Sequence, residues 1–397
     1  MTAMTYETTL HFGGVAWSIP RPLPILQSTA ESSGTSASIA RALESPIGLP
    51  SLDQIVVPGD VVALAVDAAT PDLPRVVSGV VGWLREKGTS AENLKVVLAS
   101  NSTALQREVV DQMTHDGLAE VEVQLHDPDV AEAVAYVAAN DQSDPIYINR
   151  TLVDADVVLP IVCVQRSTAL DYVGSYSIFP WLSNRQTRGH FFSLPRLDVA
   201  NEHQKLKSWA DEAAWWLGIL AAVNVVPADG QQVGAVLAGL TEPLAEASQR
   251  EYERLWTEAK ASSHFVIALL DGSPAQQTWH AVARALRAAA RFTAPGGSIA
   301  LCTQLHESVC QGLQRLSDVH HDRDQIATKL SKDTGDNALP AAVILQVTSD
   351  HHVYLASELR AASVESLGVA VLENEAQLAH LIQQHEDAVV LRSAQHW

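Results

Sequence analysis

The sequence predicts an α/β protein of two domains, each a mostly parallel sheet flanked by helices, with the ligand cleft between them. Three observations carry this expectation. The chain has 397 residues, more than one ordinary core holds at about 150 residues per domain. From residue 61 onward, short β-branched runs alternate with helical stretches, the pattern of strand–helix–strand units. The rhythm pauses near Ser262 and Ser263 and restarts at His264, which divides the chain into 1–262 and 263–385. The last strand, within 386–397, is expected to return to the first domain, because chain ends often lie near each other.

Each element follows from local chemistry. Residues 1–26 read as a hairpin whose IPRPLPIL segment is extended and suited to a sheet edge, since proline lacks an N–H. A helix around Ile39–Leu43 precedes the buried strand VVALAVD, and a helix over Pro74–Lys87 leads to the strand KVVLAS. The helix Leu105–His115, the strand VEVQLH, and the strands IYINR and ADVVLPIVCV continue the series. A long aperiodic stretch then runs to about Gln204, and loops of that length are usually functional. A helix over Leu206–Ala222, the strands NVV and VGAVLAG, and a helix from Pro243 to Ala261 close the first domain. The second takes FVIALLDG, SIALCTQ, VYLAS and VAVLE as strands, with helices at Thr278–Phe292, His306–Leu316, Gln325–Leu330 and Ala338–Val347, and AVVLR is the last strand expected to return to the first domain.

Composition narrows the function. Apolar residues at 47% against 18% charged favour well-buried elements over long disordered stretches, and a net charge of −20 works against binding nucleic acid or anionic lipid. No apolar run approaches the roughly 20 residues of a membrane span, and the N-terminus lacks a basic region followed by an apolar core, so a cytoplasmic protein is expected. Cys163, Cys302 and Cys310 show no CxxC spacing and read as buried small hydrophobes.

Generic motifs give little. The TAPGGSIALC turn lacks a glycine-rich partner loop after the first strand of its domain, and reads as a tight turn. His320/His321 and His351/His352 are adjacent pairs whose side chains diverge, so neither is a natural chelate. His126, Asp127 and Asp129 cluster at a strand end, where loop acids are commonly solvated turn formers, whereas His190 lies in the aperiodic stretch and ranks first among metal-ligand candidates. There is no GxSxG elbow and no P-loop.

The order of SPIGLPSLDQIVVPGD, the Asp67 strand end, DPIYINRTLVDADVVLP, NVVPADGQQVGAVLAG, APGGSIALCTQ and HHVYLASEL resembles that of the lactate racemase family over nearly the whole chain. The resemblance implies an N-terminal catalytic domain, a smaller C-terminal α/β domain, and chemistry on a nickel-pincer nucleotide tethered through a thioamide to a lysine. In the family that cofactor accepts a hydride from the hydroxyl-bearing carbon, while two histidines on opposite faces deprotonate the hydroxyl.

Laid on the family's motifs, this sequence differs at the reacting positions. Its D-x-T-R-P segment is Asp67-Ala68-Ala69-Thr70-Pro71, which makes Asp67 and Thr70 the cofactor-binding candidates. Its G-x-H-R segment is Ser100-Asn101-Ser102-Thr103, so Ser102 takes the place of the first catalytic histidine. Val164 to Trp181 aligns with the cofactor loop, with Arg166 at the second histidine and Tyr176 at the lysine. His190 corresponds to the nickel-binding histidine, and Ala281 and Arg284 to the substrate-binding Q-x-x-K pair.

Two functions of different class follow. One is a silent relative unable to racemise lactate by the family mechanism, binding a small anion, a hydroxy acid or a phosphate-containing molecule, in the interdomain cleft. The other is a divergent racemase or epimerase acting on another 2-hydroxy acid with a nickel-pincer cofactor held non-covalently. Covalent attachment is expected in neither.

Overall fold

The structure is a computed structural model, and it describes residues 5–12, 14–29, 35–140, 143–166, 179–191, 200–257, 262–317, 322–333, 335 and 337–397. The chain opens with β1 (Thr5–Phe12), β2 (Val15–Leu26), α1 (Thr35–Glu44), β3 (Val62–Val66), α2 (Leu73–Glu86), β4 (Leu94–Leu98), α3 (Thr103–His115) and β5 (Glu122–Leu125). It continues through β6 (Val134–Ala139), β7 (Pro145–Asn149), α4 (Arg150–Val153), β8 (Val157–Cys163), α5 (Arg185–Phe191), α6 (Ala200–Trp216), β9 (Ala221–Pro227), β10 (Val233–Leu240) and α7 (Thr241–Leu255). The remainder is β11 (Ser263–Leu269), α8 (Trp279–Phe292), β12 (Thr293–Cys302), α9 (Gln311–Gln314), α10 (Arg323–Leu330), α11 (Ala338–Asp350), β13 (His352–Ala356), α12 (Ala361–Glu365), β14 (Ala370–Val371), α13 (Glu375–Gln384) and β15 (Val389–Leu391).

Two helix-covered sheets result, as the alternation predicts. The first has the order β10-β9-β8-β3-β4-β5 and is parallel except for the β9–β10 pair. Its central strand β3 is buried along its whole length, which is why it reads as a continuous apolar run. The helix α2 presents Leu73, Val76, Val77, Val80, Val81 and Leu84 to the core, the 3- and 4-residue spacing of one helical face. The second sheet has the order β1-β2-β15-β11-β12-β13-β14 and is parallel apart from the β1–β2 hairpin. A small antiparallel pair, β6–β7, stands apart from both.

Three expectations change here. The last strand does not join the sheet of β3: β15 lies between β2 and β11, so the N-terminal hairpin and the C-terminal strand both belong to the second sheet. The proline-rich β2 is an inner strand, with β1 outside it, yet it meets β15 only at Ile25 and Leu26, just beyond Pro24. Its prolines therefore leave no ladder bond to β15 unmade. The helix expected to reach Ala222 ends at Trp216, and β9 begins at Ala221, because Gly218 adopts a left-handed φ of 65° that breaks the helix.

Both sheets reverse direction of growth at one place, and those places position the site. In the first sheet the chain moves from β3 out through β4 and β5, then returns to the other side of β3 with β8. In the second it moves from β11 through β12, β13 and β14, then returns to the other side of β11 with β15. At such switch points the loops leaving adjacent carboxyl ends diverge and open a crevice. No helix among the described residues is long and apolar enough to cross a membrane.

Candidate functional site

The loops leaving the two switch points meet. From the first sheet come Ala69 and Pro71, after β3, and Gly230 and Gln231, in the β9–β10 turn. From the second come Asp271, Gly272 and Gln276 after β11, Ala281 and Arg284 on α8, and Gln395 and His396 after β15. They line a narrow crevice of about 20 Å³, room for a single water-sized group. It adjoins a wider space of about 570 Å³ that shares Gly230, Gln231, Asp271 and Gly272 and adds His11, Gln304 and Arg392.

Polar contacts tie the walls together. The Gln276 amide nitrogen donates to the carbonyl oxygens of Ala68 and Thr70, both at 2.8 Å. Arg284 Nη1 donates to Gln165 Oε1 at 2.9 Å, joining α8 to the loop that follows β8. The N–H of Gly230 donates to Asp271 Oδ2 at 3.2 Å and to Ser393 Oγ at 2.9 Å, and the Ser393 hydroxyl donates to the same carboxylate oxygen at 2.6 Å. Gly230 has φ of 70°, a left-handed conformation that glycine takes without steric cost, and this turns its N–H toward the second sheet.

Electrostatics at this junction are set by burial. Asp271 has its carboxyl pushed above the ordinary range by desolvation, opposed by the Ser393 hydroxyl and the Arg392 charge. Asp229, which accepts from Ser28 Oγ at 2.7 Å, is raised to about 6, first by burial and also by the nearby Asp271 charge. His396 is held neutral, its pKa lowered to about 3 by burial and by the Arg284 charge. Two side chains that line the crevice carry a buried polar atom without a hydrogen-bond partner, Arg284 Nε and His396 Nδ1, and Thr70 Oγ1 and Asp229 Oδ1 are unpartnered outside its lining. Such orphans are rare in folded proteins, and the two in the crevice are open to a ligand or solvent acceptor.

The residues singled out by sequence fall in different places. Arg284 and Ala281 line the crevice, and Thr278 caps their helix by accepting from the Ala281 N–H. Asp67 is buried at the end of β3, accepting from the N–H groups of Ala69 at 2.9 Å and Cys163 at 3.3 Å. Thr70 is fully buried behind it. Arg166 follows Gln165 at the mouth of the β8 loop, partly buried. Ser102 is the N-cap of α3, its hydroxyl oxygen accepting from the Leu105 N–H at 3.3 Å. His190 stands in an aromatic cluster, 5.4 Å from the Trp209 ring centre, with Nδ1 3.8 Å from Asp144 Oδ1. Neither Ser102 nor His190 lines the crevice. Tyr176 lies outside the described residues.

Two further histidines are buried. His126 lies with Asn149 Nδ2 donating to its Nδ1 at 3.1 Å and its Nε2–H donating to the Ser183 carbonyl at 2.8 Å. Burial keeps it neutral, with a pKa lowered to about 4. His396, absent from the sequence-based candidates, reaches the crevice because β15 is inserted beside β11; in sequence it is only a histidine just after a short apolar run.

Residues 23–196 match the lactate racemase N-terminal domain. The whole chain is similar in fold to the lactate racemase apoprotein from Thermoanaerobacterium thermosaccharolyticum, with a TM-score of 0.78 at 17% identity over 99% of each chain. It is also similar to a structural-genomics target from Thermotoga maritima, with a TM-score of 0.69 at 15% identity over 93% of this chain and 98% of that one. No curated protein matches.

The segment Val164–Trp181, which the resemblance lays on the family's cofactor loop, contains neither lysine nor histidine, so it offers no amine for the thioamide tether of a nickel-pincer group. Among the described residues no three His, Cys, Asp or Glu side chains are grouped to hold a metal ion.

Proposed function

We propose that the chain, whose residues 23–196 match the lactate racemase N-terminal domain, is a divergent lactate racemase-like protein that binds a small oxyanion, a 2-hydroxy acid or a phosphate-containing molecule, without racemising lactate by the family mechanism. The observation that carries the reading is Arg284. Its guanidinium lines the crevice with Nη1 fixed on Gln165 and Nε unpartnered, a pre-oriented donor set that suits carboxylate or phosphate oxygens.

The loss of lactate chemistry rests on what the substituted side chains can do. Removing a proton from the substrate hydroxyl needs a base of near-neutral pKa on each face. Ser102 is no such base without an activating partner, and its oxygen is occupied as a helix cap. Arg166 cannot accept a proton at neutral pH. Tyr176 cannot form the amide-like bond that the tether uses.

The test is intact-protein mass and metal content after co-expression with the cofactor-synthesis proteins, followed by incubation with D- and L-lactate. The reading expects an unshifted mass, no stoichiometric nickel and no interconversion, with Arg284→Gln weakening lactate or phosphate binding at least tenfold. A covalent adduct, one nickel per chain or racemisation would overturn it in favour of a divergent racemase.

A further inference from the structure

His396 lines the same crevice wall as Arg284 but has no counterpart among the family positions identified above. Its tautomer follows from the network around it. The Gln395 side chain is oriented by the backbone of Asp271, with Oε1 accepting from the Asp271 N–H at 3.3 Å and Nε2 donating to the Asp271 carbonyl at 2.9 Å. That fixes which end of the amide is nitrogen. The same nitrogen lies 3.4 Å from His396 Nε2, where it can only donate, so Nε2 accepts. A neutral imidazole carries one proton, and here that proton sits on Nδ1.

Nδ1–H is therefore a buried donor with no acceptor, and the side chain is only 5% exposed. The ring has little freedom to turn away from its position. It packs against Trp256 at 5.9 Å between ring centres, and the His396 carbonyl accepts from the Tyr252 hydroxyl. Arg284 Nε–H is a second orphaned donor, and the two side chains line the same crevice. Two unpartnered N–H groups in one crevice lining, one charged and one neutral, want a molecule rich in acceptor oxygens.

We propose that His396 is a ligand-binding residue, its Nδ1–H and the Arg284 Nε–H forming a two-donor cradle for the oxygens of a carboxylate or phosphate. The inference rests on the oxyanion-binding reading above and adds to it a neutral donor supplied by the chain's C-terminal turn. A neutral donor beside a cation contributes direction without a second positive charge, so it favours a compact oxyanion over a polyanion.

The experiment is calorimetric titration of the full chain with D-lactate, L-lactate and inorganic phosphate, which also separates carboxylate from phosphate as the source of the oxygens. His396→Phe keeps the ring's bulk and removes the donor, and is expected to weaken the bound probe about tenfold. His396→Asn, which restores an N–H close to the Nδ1 position, is expected to recover most of that loss. A purely structural role would move neither affinity in this selective way. The Nδ1–H proton resonance, assigned in the unaltered chain by its through-space contacts to the Trp256 ring, should shift on saturation with the probe, which keeps the test open if a variant folds poorly. Binding lost in Arg284→Gln but unchanged in His396→Phe, or an unmoved Nδ1–H signal, overturns the role of His396 and leaves the oxyanion crevice standing. No binding of any of the three probes by the unaltered chain overturns both.

Discussion

Gln276 and Thr70 belong to opposite lobes, and the Gln276 amide nitrogen stands 2.8 Å from the Thr70 carbonyl oxygen while also donating to Ala68. One side chain thus satisfies two carbonyls of the loop that carries Asp67. Gln276→Ala removes both bonds and should cost about 1–3 kcal/mol in urea denaturation. Gln276→Glu keeps the bulk but sets a carboxylate against two carbonyl oxygens, so it should cost more than alanine. A Glu variant as stable as the parent would mean that the lobes are not joined through this residue.

Ser102 serves α3 as a cap. Ser102→Ala should lower stability by about 1 kcal/mol and Ser102→Asp should restore it, because both Ser and Asp accept from the first-turn N–H groups. Binding of lactate or phosphate should be the same in all three. A change in affinity with no change in melting would show that Ser102 meets the ligand instead.

Asp229 makes the junction sensitive to pH. Its carboxyl is raised from the ordinary 3.8 to about 6, so the folded chain holds a proton there that the unfolded chain releases. The stabilising contribution is present below about pH 4 and is lost as pH rises through 6, a change of about 3 kcal/mol. Asp229→Asn should flatten that slope in denaturation curves taken from pH 4 to 7. An unaltered slope would place the titration elsewhere, with Asp271 the first alternative.

His126 should act in the opposite direction. Its pKa is lowered from 6.5 to about 4, so the unfolded chain takes up a proton that the folded chain refuses. Its contribution is complete above pH 6.5 and is lost as pH falls toward 4. His126→Gln should reduce this acid sensitivity while weakening the tie between β5 and Ser183, seen as faster amide exchange around Leu182 and Ser183. Exchange indistinguishable from the parent would contradict the anchoring role.

The sheet interiors were legible because their signal is local. Val62–Val66 is an apolar run that can only be a buried strand, and the Thr278 cap with the apolar face of α8 gives a helix that carries Arg284. Strand neighbours were not legible. Nothing in residues 5–26 or 389–391 states that they pair with each other across more than 360 residues, because register is decided by tertiary packing. For the same reason His396 was missed: its importance depends on which strand lies beside β11. Nor could the sequence place His126 between surface and core, because the Ser183 carbonyl it meets comes from a loop 57 residues away.

The place of β15 between β2 and β11 imposes an order on biosynthesis. The β1–β2 hairpin is made before the rest of the second sheet, yet its seat there exists only after residue 391 has been added. Until then its inner edge waits for a strand not yet translated. The polypeptide thus completes its largest sheet and the crevice between its lobes in one late event, and shortened products ending before Val389 would expose two apolar strand edges to chaperones and proteases.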